Sequence, residues 1–525
     1  MSKSKWITVG DVLKMDALNY PDRLGWQDKT RECTFIQWNQ RACCFANGLS
    51  KIGIGYQDTF AVISYNRGEW MDMYAGCAKG GQVIVPIMFR LAAPEIEYII
   101  NHAECKGFVV ESPFVELIDS IKDRLSIPKD AYIYLGEGPI PEGYVRYEDL
   151  LAQSPANEPE IQIFGDDTWN IMYTSGTTGR PKGAIRTHES HLAHYVISNI
   201  NMGVLPTDKV MLVMPMCHVN SIQYSFAYTL VSAPVFVYNM VSFDPEDLLK
   251  TIDQYHITFT SLVPTHYRMI LDLSENVKAG KDVASIRQLL ISSAPASKEL
   301  KLEIMDYFKN VELWEAYGST EGGIATILRP EDQFRKLGSI GKEVFGTDRI
   351  RLLDESRNEV EDGEVGELFY RGACVFKGYL KDPEKTKEAF EGDWFTAGDM
   401  ARRDEEGYYY LVDRKSNMII TGGENVYPSE VENVLRAHES VKEVAVIGVS
   451  DKKWGEAVHA VVVLKEGYQP GKSLAQELAD FTRGQIAGYK RPKGIDFIKD
   501  DDMPRTATGK IVHRILRDRY MKGSD

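Results

Sequence analysis

Residues 173–183 are Tyr173-Thr174-Ser175-Gly176-Thr177-Thr178-Gly179-Arg180-Pro181-Lys182-Gly183. They follow Trp169–Met172, a short apolar run that predicts a buried strand. Glycines let the backbone turn its N–H groups towards one point, hydroxyls add further donors, and Arg180 and Lys182 add positive charge. This combination predicts a loop that binds a polyphosphate, placed directly after a strand of an α/β sheet.

The loop is not a Walker A sequence. That pattern, opening at Gly176, needs glycine at 181, lysine at 182 and serine or threonine at 183, whereas the chain has Pro181 and Gly183. Taken alone, the stretch is equally consistent with a surface loop rich in serine, threonine and glycine. The rest of the chain has to decide between the two interpretations.

The composition predicts a soluble globular protein of more than one domain. The chain has 525 residues, of which 43% are hydrophobic and 26% charged. A formal net charge of −15 argues against broad binding to nucleic acid or anionic membranes. We expect no transmembrane segment and no signal peptide, because no apolar run reaches about 18 residues and the first residues are polar. Seven scattered cysteines without a CxxC pair predict reduced thiols, no structural zinc and a cytoplasmic location.

The order of apolar patterns predicts an α/β fold. Short β-branched runs such as Phe60–Ser64 and Val83–Pro86 alternate with helical patterns such as Pro245–Tyr255, which is typical of layered, largely parallel sheets. From Gly363 onward, short strands and turns predict a β-rich subdomain. A second, small α+β unit is predicted after residues 413–417 because helix and strand patterns recur there. These patterns are Pro428–His438, Val441–Val449, Ala457–Leu464, Ser473–Gln485 and a terminal basic helix, Ile511–Lys522.

Two segments carry residue types that suit a nucleotide. In Trp314–Glu321, an aromatic beside glycine can stack on a purine, Thr320 can bond a phosphate and Glu321 can hold Mg²⁺ through oxygen. The alternative interpretation is a helix N-cap followed by an acid in the first turn. The second segment, Ser292–Ser297, predicts a tight loop between a strand and a helix that Ser297 caps.

Three charged residues and one histidine are further candidates. Asp399 follows a glycine turn and can accept hydrogen bonds from the ribose hydroxyls. Alternatively, it is an ordinary turn aspartate. Arg414 can reach a ribose or phosphate, or it belongs to a surface ion pair. Lys510 follows Gly509 and can deliver a point charge to a phosphate, or it is a solvated lysine. His218 follows a predicted strand, and the sequence does not fix the direction of its ring; no zinc or GxSxG hydrolase pattern accompanies it.

Taken in order and spacing, these segments resemble the adenylate-forming (ANL) superfamily, specifically its AMP-forming acyl-CoA synthetases. The resemblance extends over roughly residues 10–518. Other segments that carry it are Gly366–Gly372 with Gly378-Tyr379, Thr396–Asp399, Gly422–Glu432 and Pro504–Lys510. It implies a large N-terminal adenylating domain (1–413), a hinge (414–417) and a small mobile α+β C-terminal domain (418–525).

The resemblance implies a reaction in two steps. A carboxylate attacks the α-phosphate of ATP in the presence of Mg²⁺, which gives an acyl-adenylate and pyrophosphate. The thiol of coenzyme A then displaces AMP and forms a thioester. The implied partners are a small-molecule carboxylic acid, ATP and coenzyme A, without nucleic acid, on a monomer or homodimer.

The site roles that the resemblance implies fall on the quoted motifs. The β- and γ-phosphates are assigned to Thr174, Ser175, Gly176, Thr177, Thr178, Gly179 and Lys182. The adenine site is assigned to Ser293, Ala294, Pro295, Glu315 and Tyr317, and Ala316, Gly318 and the residues Gly422, Gly423 and Glu424 are further cofactor-binding assignments. Asp399 and Arg414 are assigned to the ribose. Thr320 is assigned to the α-phosphate, and Glu321 to the α-phosphate and Mg²⁺. Lys510 is assigned as the bridge between the carboxylate and the α-phosphate.

For the second step, the small domain is expected to rotate about residues 413–417, which removes Lys510 and brings Gly422, Gly423 and Glu424 to the thioester site. The chain departs from the family pattern twice. Ser416 stands where the hinge usually has aspartate or lysine, and a hinge needs permissive dihedrals more than a particular charge. The Thr-Gly-Asp motif is altered to Ala397-Gly398-Asp399, which leaves open whether Thr396 replaces the missing hydroxyl.

The acid itself is left open by the sequence. By family analogy, His218 is a catalytic candidate in a pocket shared with Val219, Asn220, Gln223, Tyr224, Ala294 and residues 318–324. Gly322 and Gly323 are expected to leave room there, and we expect a compact aromatic, alicyclic or short- to medium-chain acid. The alternatives are a luciferase-like oxygenase, a stand-alone adenylation enzyme that loads a carrier protein, and a non-catalytic nucleotide sensor. Glu321 and Lys510 together argue against the sensor.

Overall fold

The computed structural model describes residues 7–174, 181–292, 296–421, 424–451, 453–506 and 509–522. Two compact units are present: Met1–Arg349 with Tyr370–Phe395, and Ile350–Phe369 with Thr396–Asp525. The predicted fold class is confirmed, since the chain is mixed α/β with a large N-terminal and a small C-terminal part. In this division residues 414–417 lie inside the second unit, so the boundaries at 413 and 417 and the pivot between them stay predictions.

The first unit contains two mixed sheets, in which most central strands pair in parallel and two inner pairs, one in each sheet, are antiparallel. One sheet has the order β16-β15-β14-β13-β12-β10-β11-β1-β2, and the other the order β19-β9-β8-β4-β3-β5-β6-β7. The strands of the first sheet are β1 (Leu24–Gln27), β2 (Glu32–Thr34), β10 (Val210–Leu212), β11 (Val235–Val237), β12 (Phe259–Leu262), β13 (Gln288–Ile291), β14 (Glu312–Ser319), β15 (Gly323–Leu328) and β16 (Lys342–Glu343). Those of the second are β3 (Thr59–Ile63), β4 (Val83–Ile87), β5 (Phe108–Glu111), β6 (Tyr132–Leu135), β7 (Val145–Arg146), β8 (Thr168–Thr174), β9 (Lys182–Thr187) and β19 (Gly378–Tyr379).

Helices connect these strands, and a short hairpin of β20 (Phe390–Glu391) and β21 (Trp394–Phe395) completes the unit. Capping explains several helix boundaries: Asp244 accepts N–H bonds in the first turn of α9, and Pro245 occupies its first position. The helices are α1 (Val9–Asn19), α2 (Phe35–Lys51), α3 (Glu69–Gly80), α4 (Ala93–His102), α5 (Val115–Asp119), α6 (Tyr147–Ala152), α7 (His188–Met202), α8 (Val219–Thr229), α9 (Pro245–Tyr255), α10 (Pro264–Leu271), α11 (Glu275–Ala279), α12 (Lys298–Tyr307) and α13 (Pro383–Glu388).

Apolar side chains fix the strands that carry the site. Trp169 on β8 is fully buried, and its ring centroid lies 4.7 Å from that of His191 on α7 and 5.4 Å from that of Phe226 on α8. Strands buried on both faces read as continuous apolar runs, as β4 does with Val83–Ile87. The packing therefore holds the ends of β8 and β14, where polar residues begin, on a rigid support.

The second unit contains an antiparallel sheet and a smaller sheet with helices. The first is formed by β17 (Arg351–Leu353), β18 (Val365–Phe369), β22 (Asp399–Arg403) and β23 (Tyr409–Arg414). The second is formed by β24 (Ile419–Thr421), β25 (Glu424–Val426), β26 (Val441–Asp451), β27 (Gly455–Leu464) and β28 (Gly494–Phe497). The helices are α14 (Pro428–Arg436), α15 (Lys472–Phe481) and α16 (His513–Lys522).

Three local predictions need correction. The segment 314–321 forms the end of β14 and a turn into β15, so its interpretation as a helix N-cap is wrong. The helix predicted over Ser473–Gln485 ends at Phe481, and the backbone turns at Gly484 with a φ of +78°. The terminal helix begins at His513 and not at Ile511, because Ile511 pairs with Arg505 in a β-bridge.

Candidate active site

A carboxylate and two hydroxyls meet in the first unit at the ends of β8 and β14. Glu321 Oε1 accepts a hydrogen bond from Thr174 Oγ1 at 2.9 Å and one from Tyr379 Oη at 3.1 Å. Thr174 is the last residue of β8, and Glu321 lies in the turn between β14 and β15. The structure thus brings together the polyphosphate loop and the predicted Mg²⁺ ligand, which are 147 residues apart in sequence.

Lys182 stands opposite Thr174, since the two are antiparallel partners at the end of the β8–β9 ladder. Its ammonium lies 4.2 Å from the centroid of the Tyr379 ring. Burial lowers the pKa of Lys182; the charge of Glu321 opposes this shift, and the charge of Lys385 adds to it. A cation and hydroxyls therefore flank the point from which the phosphate loop departs. Residues 175–180, which include Ser175, Gly176, Thr177, Thr178 and Gly179, lie outside the described residues.

Tyr379 belongs to the site, although the sequence analysis assigned it no role. In the sequence it is only part of the Gly378-Tyr379 motif that carries the family resemblance. It lies on β19, a two-residue strand that pairs with β9 through Tyr379 and Ala184. The backbone N–H of Phe376 also donates to the carbonyl oxygen of Glu321 at 2.7 Å. The Gly378-Tyr379 motif was the available signal, but only the pairing of distant strands places its hydroxyl on Glu321.

The turn between β14 and β15 requires a close backbone approach at Gly318. A Cβ atom there would lie 2.1 Å from the carbonyl oxygen of Gly323. The turn is closed by Ser319 Oγ, which accepts the N–H of Gly322 at 2.9 Å. Thr320, whose predicted role is at the α-phosphate, is half-buried in this turn, and its carbonyl oxygen accepts a bond from Arg186.

The predicted adenine residues of β14 differ in their surroundings. Glu315 is buried and forms an ion pair with Lys301 of α12, whose side chain is fully buried. Burial raises the pKa of Glu315, and the charge of Lys301 opposes this shift. The carboxylate thus neutralises a buried cation. Ala316 is half-buried and Tyr317 buried, while Ser293, Ala294 and Pro295 lie outside the described residues; their roles at adenine stay predictions.

The expected acid pocket is less open than the sequence analysis predicts. The space beside Gly322 is taken up by Tyr370, because a Cβ there would lie 1.6 Å from its hydroxyl. The space beside Gly323 is taken up in the same way by Cys374, at 2.4 Å. The expectation that these glycines leave room for the acid is therefore wrong: they admit the segment 370–374.

Polar side chains of α8 form hydrogen bonds with other residues of the protein. Asn220 Nδ2 donates to Ser261 Oγ at 2.9 Å, and Gln223 Nε2 donates to Ser198 Oγ at the same distance. His218 caps α8, where its Nδ1 accepts the N–H of Asn220 at 3.4 Å. Burial lowers the pKa of His218 to about 4, so its ring is neutral near pH 7 and carries its proton on Nε2. Its catalytic role stays a prediction.

In the second unit, the two predicted ribose residues form one cross-strand pair. Asp399 begins β22, Arg414 ends β23, and the two are register partners. Arg414 Nε lies 3.1 Å from Asp399 Oδ1. The preceding turn is held by Thr396, whose Oγ1 accepts the N–H of Gly398 at 2.9 Å and donates to Glu367 at 3.2 Å. Thr396 therefore shapes the turn that presents Asp399.

Lys510 lies in the second unit directly before Ile511, which pairs with Arg505 in a β-bridge. The N–H of Thr506 donates to the carbonyl oxygen of Lys510 at 2.7 Å, and Gly509 adopts a φ of +83°. The Lys510 side chain is exposed. Desolvation and the charge of Arg414 lower its pKa, while Asp399 and Asp413 oppose the shift. The lysine thus shares an electrostatic environment with the Asp399–Arg414 pair. Gly422 and Gly423 lie outside the described residues, and Glu424 is exposed at the start of β25.

An ion pair anchors the helix that follows this loop. His513, the first residue of α16, lies with its Nε2 at 2.6 Å from Glu432 Oε1 of α14. Burial opposes the charge on His513, but the hydrogen bond and charge of Glu432 outweigh it and raise its pKa; Asp413 adds to this shift and Lys510 opposes it. Glu432 also accepts the N–H of Val446 at 2.8 Å.

We expect His513→Gln to make the free energy of unfolding less dependent on pH. A histidine whose pKa is raised by folding stabilises fully below its unfolded value of about 6.5, and this stabilisation is lost as the pH rises through the folded value. The variant should therefore be less stable than wild type in mild acid, and the difference should shrink in alkali. Urea unfolding at a series of pH values measures this. Glu432→Gln should lose the same pH-dependent part of the free energy of unfolding. If either variant differs from wild type by an amount that does not vary with pH, the ion pair between His513 and Glu432 is not the source of the effect.

Within the described part of the chain, no helix is long and apolar enough to cross a membrane. The same residues contain no group of three or more His, Cys, Asp or Glu side chains arranged to hold a metal ion. Mg²⁺ in nucleotide sites binds through one or two carboxylates together with substrate phosphates and water. Glu321 beside the phosphate loop fits that mode.

Two family models match the chain. The model described as AMP-binding enzyme matches residues 13–380, and the model described as AMP-binding enzyme C-terminal domain matches residues 430–510. Glu321, Tyr379 and the phosphate loop lie within the first match, and Lys510 is the last residue of the second.

Characterised relatives match over nearly the whole length. The 2-succinylbenzoate–CoA ligase of Bacillus licheniformis is 35% identical over 508 residues, which are 96% of this chain and 98% of that protein. The long-chain-fatty-acid–CoA ligase FadD13 of Mycobacterium tuberculosis is 34% identical over 496 residues, with 93% of each chain covered. The crystal structure of the anthranilate CoA ligase AuaEII in complex with anthranoyl-AMP superposes with a TM-score of 0.89 at 26% identity, covering 99% of this chain and 98% of that one.

Proposed function

The chain belongs to the AMP-binding enzyme family, and from this premise we propose that it is an acid–thiol ligase that converts a carboxylic acid into its coenzyme A thioester. ATP supplies the adenylyl group, and AMP and pyrophosphate are the products. The observation that carries the proposal is the meeting of Thr174, Glu321 and Tyr379 at the ends of β8 and β14. It joins the phosphate loop to a carboxylate that suits Mg²⁺.

We assign the first step to charge neutralisation and positioning. Lys182 and the loop after Thr174 hold the β- and γ-phosphates, and Thr320 with Glu321 serves the α-phosphate. Bound Mg²⁺ would supply positive charge between Glu321 and the phosphates. Asp399 accepts the ribose hydroxyls beside Arg414, and Lys510 neutralises charge between the attacking carboxylate and the α-phosphate. Such chemistry needs donors held in place, with little covalent participation by the protein.

For the second step we propose that residues 418–525 rotate about 414–417 and withdraw Lys510. Lys415 lies within this pivot, and its Nζ lies 2.9 Å from Glu367 Oε2. Asp413 accepts the N–H of Ser429 at the start of α14, at 2.9 Å. These two contacts mark the limits of a short segment that contains Ser416. The proposed backbone rotation has to occur within this segment.

Replacing Ser416 with proline should impair thioester formation more than adenylation. Proline fixes φ near −65° and restricts the residue before it, so the pivot loses conformational freedom. The measurement compares acid-dependent ATP–pyrophosphate exchange with the transfer of a supplied acyl-adenylate to coenzyme A. Ser416→Ala is the matched control and should change neither. An unaffected transfer step in the proline variant would exclude Ser416 as the pivot.

We propose a compact acid, with an aromatic acid favoured by two of the relatives named above, and a cytoplasmic location. The cysteines support this location, because all seven of them are free thiols. The proposed function is tested by AMP release dependent on both coenzyme A and acid, assayed over a panel of aromatic, alicyclic and straight-chain acids. AMP release that needs the acid but not coenzyme A would favour the enzyme that loads a carrier protein, and nucleotide binding without turnover of any acid would favour the sensor.

A further inference from the structure

Arg186 is buried in the first unit with most of its hydrogen-bonding capacity unused. It lies on β9, and its side chain has no exposed surface. Nη1 donates to the carbonyl oxygen of Thr320 at 2.6 Å, whereas Nε and Nη2 have no acceptor among the described residues. A guanidinium stays charged in proteins. Burying such a charge against a single neutral carbonyl is unfavourable, so an anion is needed beside it.

Neutral histidines border the guanidinium. Burial, and next the charge of Arg186, lower the pKa of His194 and of His191 on α7 well below the usual value. His191 is engaged, since Nε2 lies 2.9 Å from Asn170 Nδ2 and Nδ1 lies 3.3 Å from the hydroxyl of Tyr195. His194 is 2% exposed, and neither of its ring nitrogens has a partner in the described part of the chain. His194 is therefore a second buried donor on which the charge of Arg186 acts.

The buried neighbours do not supply the missing negative charge. Burial raises the pKa of Cys374 to about 12 and that of Tyr195 well above its usual value, so both are neutral near pH 7. Glu321 is the acid whose charge acts on Arg186, and its Oε1 already accepts bonds from Thr174 and Tyr379. In the proposed reaction, its charge is shared with Mg²⁺. No side chain among the described residues pairs with Nε or Nη2 of Arg186, so the site can accept a bound anion as its counter-charge.

The position of Arg186 ties that ligand to the reaction. Alternation along β9 places Arg186 on the same face as Lys182, which begins the strand after the phosphate loop. Its hydrogen-bond partner among the described residues is the carbonyl of Thr320, the residue before Glu321. The guanidinium thus contacts the backbone next to Glu321, in the segment assigned to the α-phosphate and Mg²⁺.

We propose that Arg186, with His194 beside it, binds a second anionic group of the acid substrate, so that the preferred substrates are dicarboxylic acids. This inference rests on the proposed function. One carboxylate is activated at the α-phosphate, and the other forms a charge-assisted pair with Nε and Nη2, the fork geometry that suits a carboxylate. A monocarboxylic acid of the same size leaves the guanidinium unpaired and is rejected for that reason.

The test uses matched acids that differ by one carboxylate: hexanoate against adipate, benzoate against phthalate, and phenylacetate against homophthalate. AMP release dependent on coenzyme A gives kcat/KM for each. Wild type should prefer the dicarboxylic member of at least one pair by roughly 100-fold. Arg186→Met should remove this preference, mainly through KM for the dicarboxylate, and Arg186→Lys should retain part of it. Arg268→Met, at an arginine of α10 whose side chain is 42% exposed, is the control.

The outcomes separate this inference from the proposed function. No AMP release from any acid by wild type contradicts the function itself. Release from monocarboxylates with no preference in any pair, or equal loss for both members in Arg186→Met, overturns only the role of Arg186. If Arg186→Met does not fold, the wild-type preference and Arg186→Lys decide. Formate added to the monocarboxylate reactions tests a free anion: stimulation that depends on Arg186 would assign the site to that anion and overturn the proposal.

Discussion

Replacing Lys510 with alanine will lower acid-dependent ATP–pyrophosphate exchange by roughly 100- to 1,000-fold, the usual cost of removing one preorganised group that stabilises developing charge. The physical reason is that the attacking carboxylate and the α-phosphate are both anionic, and the role proposed for Lys510 is to neutralise charge between them. The lysine is needed only in this step. Transfer of a chemically prepared acyl-adenylate to coenzyme A should therefore proceed at a rate close to that of wild type.

The control for Lys510 is Lys499→Ala, another exposed lysine of the second unit. It should change neither half-reaction. Circular dichroism and urea unfolding of both variants exclude a general loss of structure. Equal loss of exchange and of thioester formation in Lys510→Ala would contradict the assigned role, because a group withdrawn after adenylation cannot act on transfer.

Replacing Glu321 with glutamine will reduce kcat/KM for MgATP by roughly 100-fold or more. The side chain keeps its size but loses the charge, and an amide is a weak ligand for Mg²⁺ compared with a carboxylate. Thr174 Oγ1 and Tyr379 Oη also lose a charged acceptor. The measurement is ATP–pyrophosphate exchange at a series of Mg²⁺ concentrations, and the variant should need more Mg²⁺ for half-maximal rate.

Two variants separate the parts of this cluster. Tyr379→Phe keeps the ring that lies 4.2 Å from the Lys182 ammonium but removes the hydroxyl donor, so its loss should stay below about tenfold. Glu331→Gln alters an exposed carboxylate of the same unit and should have no effect. An unchanged Mg²⁺ requirement in Glu321→Gln would show that the ion is held elsewhere.

Much of the architecture could be predicted from local pattern. The helix over Pro245–Tyr255 was predicted with the observed limits, because Asp244 and Pro245 mark its start and the apolar period is clear. The strands at Val83 and Val441 were predicted because β-branched runs have few alternatives. Prediction failed at element ends such as Ile511, where a long-range bridge to Arg505 prevails over helix propensity.

The candidate site was predicted in part. Order and spacing of the motifs were enough to single out Thr174, Glu321 and Lys510 and to indicate the family. They did not reveal that Gly322 and Gly323 are filled by Tyr370 and Cys374, since those contacts join segments about fifty residues apart. Nor did they identify Arg186, which in sequence is one polar residue at the end of a strand.

The sequence by itself determined the chemistry available to this protein: a loop rich in glycine, hydroxyls and positive charge, a carboxylate, a lysine after glycine and the family that uses them. Glycine, hydroxyl and charge at fixed spacings carry that information because they are local requirements of phosphate binding. Only the tertiary structure decided which of these groups share an environment. Pairing of β19 with β9 brings Tyr379 to Glu321, and burial of β9 leaves Nε and Nη2 of Arg186 without an acceptor among the described residues. The physical reason is desolvation. A polar group needs a partner within the protein once packing has removed its water, and this packing depends on the whole chain.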